Sequence, residues 1–174
     1  MNIGILIFFT STILNWQNLL SENYNRDIVM NALQFLVKNN KMKLYAYVIM
    51  PNHIHLLLQP LNEQTKNENL QHSLLSYTAH QFKKYAIENG VDLKAYEVKD
   101  SDRQYQFWER NPLSIEIYSK EVAEQKLNYI HNNPWHEKWK SFSSSITQSY
   151  SSEMFYQKGT DQYDILTHYM EYFE

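Results

Sequence analysis

The sequence predicts an α+β domain on the split βαβ plan, an antiparallel sheet with helices on one face. Its apolar residues switch between strand-like runs and the three-and-four spacing of helices, in the order strand, helix, strand, strand, helix, strand, helix. Its composition, 174 residues with 43% apolar and 15% aromatic, supplies a core large enough to fold without staples.

The first element is a nearly continuous apolar run from Ile3 to Ile13, rich in β-branched and aromatic residues, which suits a central strand buried on both faces. From Asn25 to Asn39 the period changes. Ile28, Ala32, Leu33, Leu36 and Val37 form one stripe of an amphipathic helix, and Asn39-Asn40 breaks it. Leu44 to Ile49 and His53 to Gln59 read as two strands joined by a tight turn at Met50-Pro51-Asn52, where a proline without an N–H is tolerated. Asn67 to Glu88 is helical by the spacing of Leu70, Leu74, Tyr77, Ala79, Phe82 and Tyr85, with Asn89-Gly90 as its stop. Gln106 to Tyr118 returns to strand-like residues. Ser119, with Glu121 in the following turn, caps a third helix that runs to about Asn133 and ends at Pro134.

Beyond Lys140 the composition shifts to serine, which reads as a surface segment followed by an aromatic tail from Phe155 and Tyr156. The expected organisation is therefore a domain over residues 1–140, with 141–174 packed on it or extending from it.

Composition excludes several function classes. With no cysteine there is no thiolate zinc site, redox pair or cysteine nucleophile. A formal net charge of −3 and a pI near 6.2 give no global pull on nucleic acid, so such a partner needs a local basic patch. The apolar stretch from Ile3 to Leu14 has no basic leader and is shorter than the roughly 20 residues of a membrane span. The expectation is a cytoplasmic protein with no membrane partner.

Two constellations carry chemistry. In Met50-Pro51-Asn52-His53-Ile54-His55-Leu56-Leu57-Leu58, residues two apart share a face, so His53 and His55 look one way while Ile54, Leu56 and Leu58 look under the helices. Two imidazoles on one rigid strand can bind a divalent metal. On spacing alone such a pair is more often two half-exposed histidines on a sheet. At the end of the third helix Tyr129 and Asn133 stand four apart, beside a core stripe of Ala123, Leu127 and Ile130, and can reach one point in space. Taken alone, Tyr129 is more simply a packing aromatic and Asn133 a helix end before proline.

Together these stretches resemble the single-tyrosine transposases of the HUH superfamily, and more closely the REP-associated tyrosine transposase branch. The resemblance is carried by Tyr47-Val48-Ile49-Met50-Pro51-Asn52-His53-Ile54-His55-Leu56-Leu57, Asp102-Arg103-Gln104-Tyr105-Gln106-Phe107-Trp108-Glu109-Arg110 and Gln125-Lys126-Leu127-Asn128-Tyr129-Ile130-His131-Asn132-Asn133-Pro134. Phe8-Phe9-Thr10 and Ser76-Tyr77-Thr78-Ala79 extend it over roughly residues 3–156.

What the resemblance implies is a ferredoxin-like fold and a metal-dependent single-stranded DNA endonuclease and strand transferase, acting in transposition on hairpin or repeat-flanked DNA. Carried onto this chain, His53, His55 and Asn133 would ligate Mg²⁺ or Mn²⁺. Tyr129 would attack a DNA phosphate to give a 5′-phosphotyrosine and a free 3′-OH. The same resemblance implies single-stranded or hairpin DNA as partner, a monomer or homodimer, and a bacterial, nucleoid-associated setting. Lys83, Lys84, Arg103 and Arg110 are the candidate DNA contacts. The alternative is a domesticated or inactive hairpin-DNA-binding protein on the same fold. A histidine-triad nucleotide hydrolase fails because Leu57 occupies the third alternating position, and an RRM-like module lacks its aromatic-basic strand signature.

Overall fold

A computed structural model describes residues 4–61 and 67–174, the side chains of 67–69 excepted. Ile3, where the first apolar run begins, lies outside the described residues. The elements are β1 (Leu6–Thr12), α1 (Asn23–Lys38), β2 (Met42–Ile49), β3 (His53–Pro60), α2 (Asn67–Glu88), β4 (Leu113–Ile117), α3 (Lys120–Asn132), α4 (Ser143–Ser149) and α5 (Glu153–Lys158). The sheet order is β2-β3-β1-β4 with every neighbour antiparallel, which is the split βαβ arrangement.

The register fixes what each face carries. Thr10 lies opposite His55 and Phe8 opposite Leu57, so these four share one face, while Phe9 shares the other with Leu56 and Ser114. On that second face Gln71 of α2 donates to the Ser114 hydroxyl, and α1 packs beside α2 with Tyr24 stacked on Tyr85 at 3.7 Å. The two crossover helices thus lie together on one face, as expected of the helices, whereas α3, which follows the last strand, departs from that expectation and meets Phe8 and His55 from the other face. Both central strands are buried on both sides: Leu6, Phe9, Ile54, Leu56 and Leu57 are fully enclosed. Gly90 takes the left-handed conformation (φ 65°) that ends α2, with the Val91 N–H closing onto the Ala86 carbonyl at 2.8 Å. Among the described residues no helix is long and apolar enough to cross a membrane.

Two further expectations are corrected. The strand expected over Gln106 to Tyr118 is confined to Leu113–Ile117. Asn111 turns left-handed (φ 61°) and Pro112 has no N–H to give a ladder, so the chain before them cannot continue the strand. Phe107 and Trp108 are core residues all the same: they sit on a loop, with the Trp108 indole N–H donating to the Thr78 hydroxyl at 2.9 Å.

The serine-rich stretch is a surface segment only in part: Ser141, Ser144 and Ser145 are exposed, but the rest is built into the fold. It forms α4 and then runs along the open edge of β2, with Ser143, Ile146, Tyr150, Ser151 and Ser152 all buried. The Ile49 N–H donates to the Tyr150 carbonyl, the Ser152 N–H to the Tyr47 carbonyl, and farther on the Thr167 N–H to the Leu44 carbonyl. Serine suits this place because its hydroxyl stands in for a missing strand: Ser152 Oγ accepts from the Tyr47 N–H at 3.1 Å. An edge that could template aggregation is thereby covered by the chain's own C-terminal part.

Candidate active site

The two histidines stand at the start of β3, next to a turn held from several sides. The Met50 N–H donates to the His53 carbonyl, the Ile13 N–H to the Asn52 carbonyl, and the Leu20 N–H to the Pro51 carbonyl. His53 and His55 project to the same face with ring centroids 4.8 Å apart, as period two demands. They are 8% and 4% exposed, so the half-exposed pair that spacing alone suggests is not what the fold builds.

Each ring is oriented through its Nδ1. Asn52 Oδ1 lies 2.7 Å from His53 Nδ1, while the Asn52 Nδ2 group donates to the Trp16 carbonyl, so the amide oxygen must be accepting from an Nδ1–H. The Thr10 hydroxyl lies 2.7 Å from His55 Nδ1. His53 Nε2 then carries a lone pair, and so does His55 Nε2 where it accepts from the Asn133 Nδ2 group at 3.3 Å; Asn133 Oδ1 lies 3.2 Å from His53 Nε2. That last contact sets two acceptors against each other, a conflict relieved either by a positive charge between them or by turning the Asn133 amide over. A proton is a poor candidate, because burial pushes the His53 pKa down to about 4, against the Asn133 contact that raises it and with Lys138 lowering it further. Burial likewise lowers His55 to about 3, helped by His53 and then Lys126. Both rings are neutral near pH 7. Two imidazole nitrogens and one amide oxygen are a donor set that fits a small cation. Among the described residues no cluster of three His, Cys, Asp or Glu competes with it.

Helix α3 brings Tyr129 to the same place. Ser119 caps it by accepting from the Val122 N–H, and Ala123, Leu127 and Ile130 bury the stripe that presses it onto the sheet. This sets Asn133, buried at the helix end, and Tyr129, one turn earlier and 47% exposed, on a common side. The Tyr129 ring meets His55 edge-on at 5.1 Å and Phe8 at 5.9 Å. Phe8 stacks on His55 at 5.5 Å and is covered by the Lys126 ammonium 4.8 Å from its centroid. The site thus sets an exposed phenol, a group able to act as a nucleophile, beside a buried, oriented pair of imidazoles.

The four candidate DNA contacts have partners of their own. Lys83 and Lys84 lie on α2, behind the sheet, with Lys83 over the Tyr105 ring and Lys84 paired to Glu88 at 4.0 Å. Arg103 and Arg110 converge on Asp100, the first at 3.6 Å and the second in a close charge-assisted hydrogen bond. Sequence reasoning gave no role to Asn52, Thr10 and Trp16. Thr10 could have been found by pairing β1 against β3, since a threonine opposite His55 is a ready Nδ1 partner.

No protein-family model and no curated protein matches the sequence. Among solved structures, the chain is similar to a REP-associated tyrosine transposase bound to a REP hairpin, with a TM-score of 0.62 at 18% identity over 93% of this chain and 85% of that one. It is also similar to a candidate transposase from Deinococcus radiodurans R1, with a TM-score of 0.51 at 17% identity over 76% of this chain and 92% of that one. At these identities the likeness is one of fold: the chain has the fold of a REP-associated tyrosine transposase.

Proposed function

We propose that this chain is a transposase-class nuclease that nicks and rejoins single-stranded DNA next to a hairpin, through a covalent bond to Tyr129. The observation that carries the reading is the convergence of His53 Nε2, His55 Nε2 and the Asn133 amide one turn from an exposed tyrosine. The fold neighbour bound to a REP hairpin supports hairpin DNA as the partner.

A phosphodiester repels nucleophiles because it is already anionic. A divalent cation, Mg²⁺ or Mn²⁺, held by His53, His55 and Asn133 would polarise the phosphoryl oxygen and offset charge on the leaving oxygen. Tyr129 Oη forms the new bond to phosphorus as the bond from phosphorus to the 3′-oxygen breaks. The phenol proton goes to solvent and the 3′-oxygen takes one up. The products are a 5′-phosphotyrosine and a free 3′-OH, and the reverse attack by another 3′-OH rejoins DNA without ATP. Asn52 and Thr10 hold the two rings from behind through Nδ1, and Lys126 and Lys138 add positive potential beside them.

The test is incubation of the purified protein with labelled hairpin DNA from the flanks of its own gene, with Mn²⁺ or Mg²⁺. The expected result is a covalent adduct that needs metal and disappears in Tyr129→Phe. Tight hairpin binding with no adduct would replace this reading with that of a noncatalytic hairpin binder, and an adduct that persists in Tyr129→Phe would overturn the assignment of the nucleophile.

A further inference from the structure

Trp16 is not accounted for by packing. It is 62% exposed, yet it stands beside the site, its indole edge-on to the His53 ring at 6.4 Å. It also sits in backbone that an L-residue avoids: Asn15 (φ 52°) and Trp16 (φ 57°) are both left-handed, in succession. Asparagine tolerates that region, whereas a bulky indole is strained there. The conformation persists because the surroundings over-determine it. The Asn15 N–H donates to Glu109 Oε1 at 2.7 Å, the Trp16 N–H to the Ile13 carbonyl at 2.9 Å, and the Gln17 N–H to the Leu14 carbonyl at 3.1 Å. The Trp16 carbonyl accepts from Asn52, the same side chain whose oxygen orients His53. The indole and the imidazole are thus set by one amide.

An exposed aromatic held under strain one ring away from a buried polar site is a platform for something flat that arrives with the substrate. We infer that Trp16 stacks the nucleobase adjoining the phosphate that reaches Tyr129, and so fixes which phosphate enters the site. This rests on the reading of the site as a single-stranded DNA nuclease and names the group that sets its register. Tryptophan suits the task because every base has a π-face, and because an exposed ring offers its area without further ordering. Trp139, 6.1 Å from His53 on the same ring system, cannot share it: it is 8% exposed and covered by the Lys138 ammonium.

The experiment walks a single abasic site along the unpaired segment of the hairpin DNA and measures binding and adduct yield for the full-length protein and for Trp16→Gly and Trp16→Asn. Both replacements accept a positive φ, so the loop keeps its shape and the thermal midpoint is expected to be unchanged or raised. In the parent protein one abasic position is expected to weaken binding about ten-fold, from the usual worth of a stacked base. In either variant DNA binding is weaker by a similar factor and that same abasic position has no further effect, while Mn²⁺ affinity stays at the parent value. Full abasic sensitivity in both variants, or a sharp fall in both thermal midpoints, would overturn the stacking role while leaving the nuclease reading in place. If the parent protein neither binds nor joins any of the DNAs, the nuclease reading fails and the stacking role with it.

Discussion

Replacing Thr10 by valine removes one oxygen and little else. The two side chains have the same shape and both favour strands, so β1 and its register against β3 are retained. What is lost is the acceptor 2.7 Å from His55 Nδ1. His55 is 4% exposed, so water cannot replace it, and an unsatisfied buried donor costs about 1–3 kcal/mol. The ring can escape by moving its proton to Nε2, but that nitrogen is the one facing Asn133, so the escape consumes the lone pair needed for a ligand. Either way the site is weakened. Loss of such a supporting hydrogen bond lowers metal affinity about 10–100-fold, or roughly 1.4–2.8 kcal/mol. The assay is calorimetric titration with Mn²⁺, alongside urea unfolding in chelator. Thr10→Val is expected to bind Mn²⁺ at least ten-fold more weakly and to unfold at lower urea, while Thr10→Ser, which keeps an acceptor, stays near the parent. A folded Thr10→Val with Mn²⁺ affinity within two-fold of the parent would refute the reasoning, because it would mean that His55 is not a ligand oriented from behind.

Three further outcomes are expected. Burial lowers His53 to about 4, His55 to about 3 and His131 to about 4, so the unfolded chain binds more protons than the folded one below its ordinary histidine pKa of 6.5. In chelator, stability should be flat above about pH 6.5 and fall steadily from there to about pH 4; urea midpoints that rise on acidification would contradict the burial of these rings. Ser152→Ala strips the Tyr47 N–H of its partner on the sheet edge and is expected to cost about 1–3 kcal/mol in urea unfolding, where a change below about 0.5 kcal/mol would show that the C-terminal cover adds little. Asp100→Asn releases Arg103 and Arg110, and since solvent-exposed pairs add little it should leave stability alone while steepening the salt dependence of hairpin binding by up to about two phosphate contacts; an unchanged salt slope would remove both arginines from the DNA surface.

Where the sequence was informative, the information was local and periodic. His53 and His55 alternate on a strand whose other residues are apolar, and Tyr129 and Asn133 stand one turn apart beside a clear core stripe, so each pair could be placed without knowing the rest. That the pairs meet is a property of the sheet and of α3, and it follows only from the whole topology. The strand is shorter than Gln106 to Tyr118 suggests because Phe107 and Trp108 have strand-like chemistry, whereas Asn111 and Pro112 decide the backbone. The serine-rich stretch misled for the opposite reason. Serine is usually exposed, and nothing in residues 141–152 reveals that β2 has an open edge for Ser152 and Tyr150 to cover. Trp16 was silent because left-handed backbone leaves no periodic trace, and Asn52 because a turn asparagine usually serves only the turn.

The covalent step is the centre of the account, and mass spectrometry tests it most directly. After reaction with hairpin DNA and Mn²⁺, nuclease trimming and tryptic digestion, the peptide Leu127–Lys138 should carry a nucleotide on Tyr129. Modification of a different tyrosine, such as the more exposed Tyr118, or a cleaved strand with every tyrosine unmodified, would contradict it.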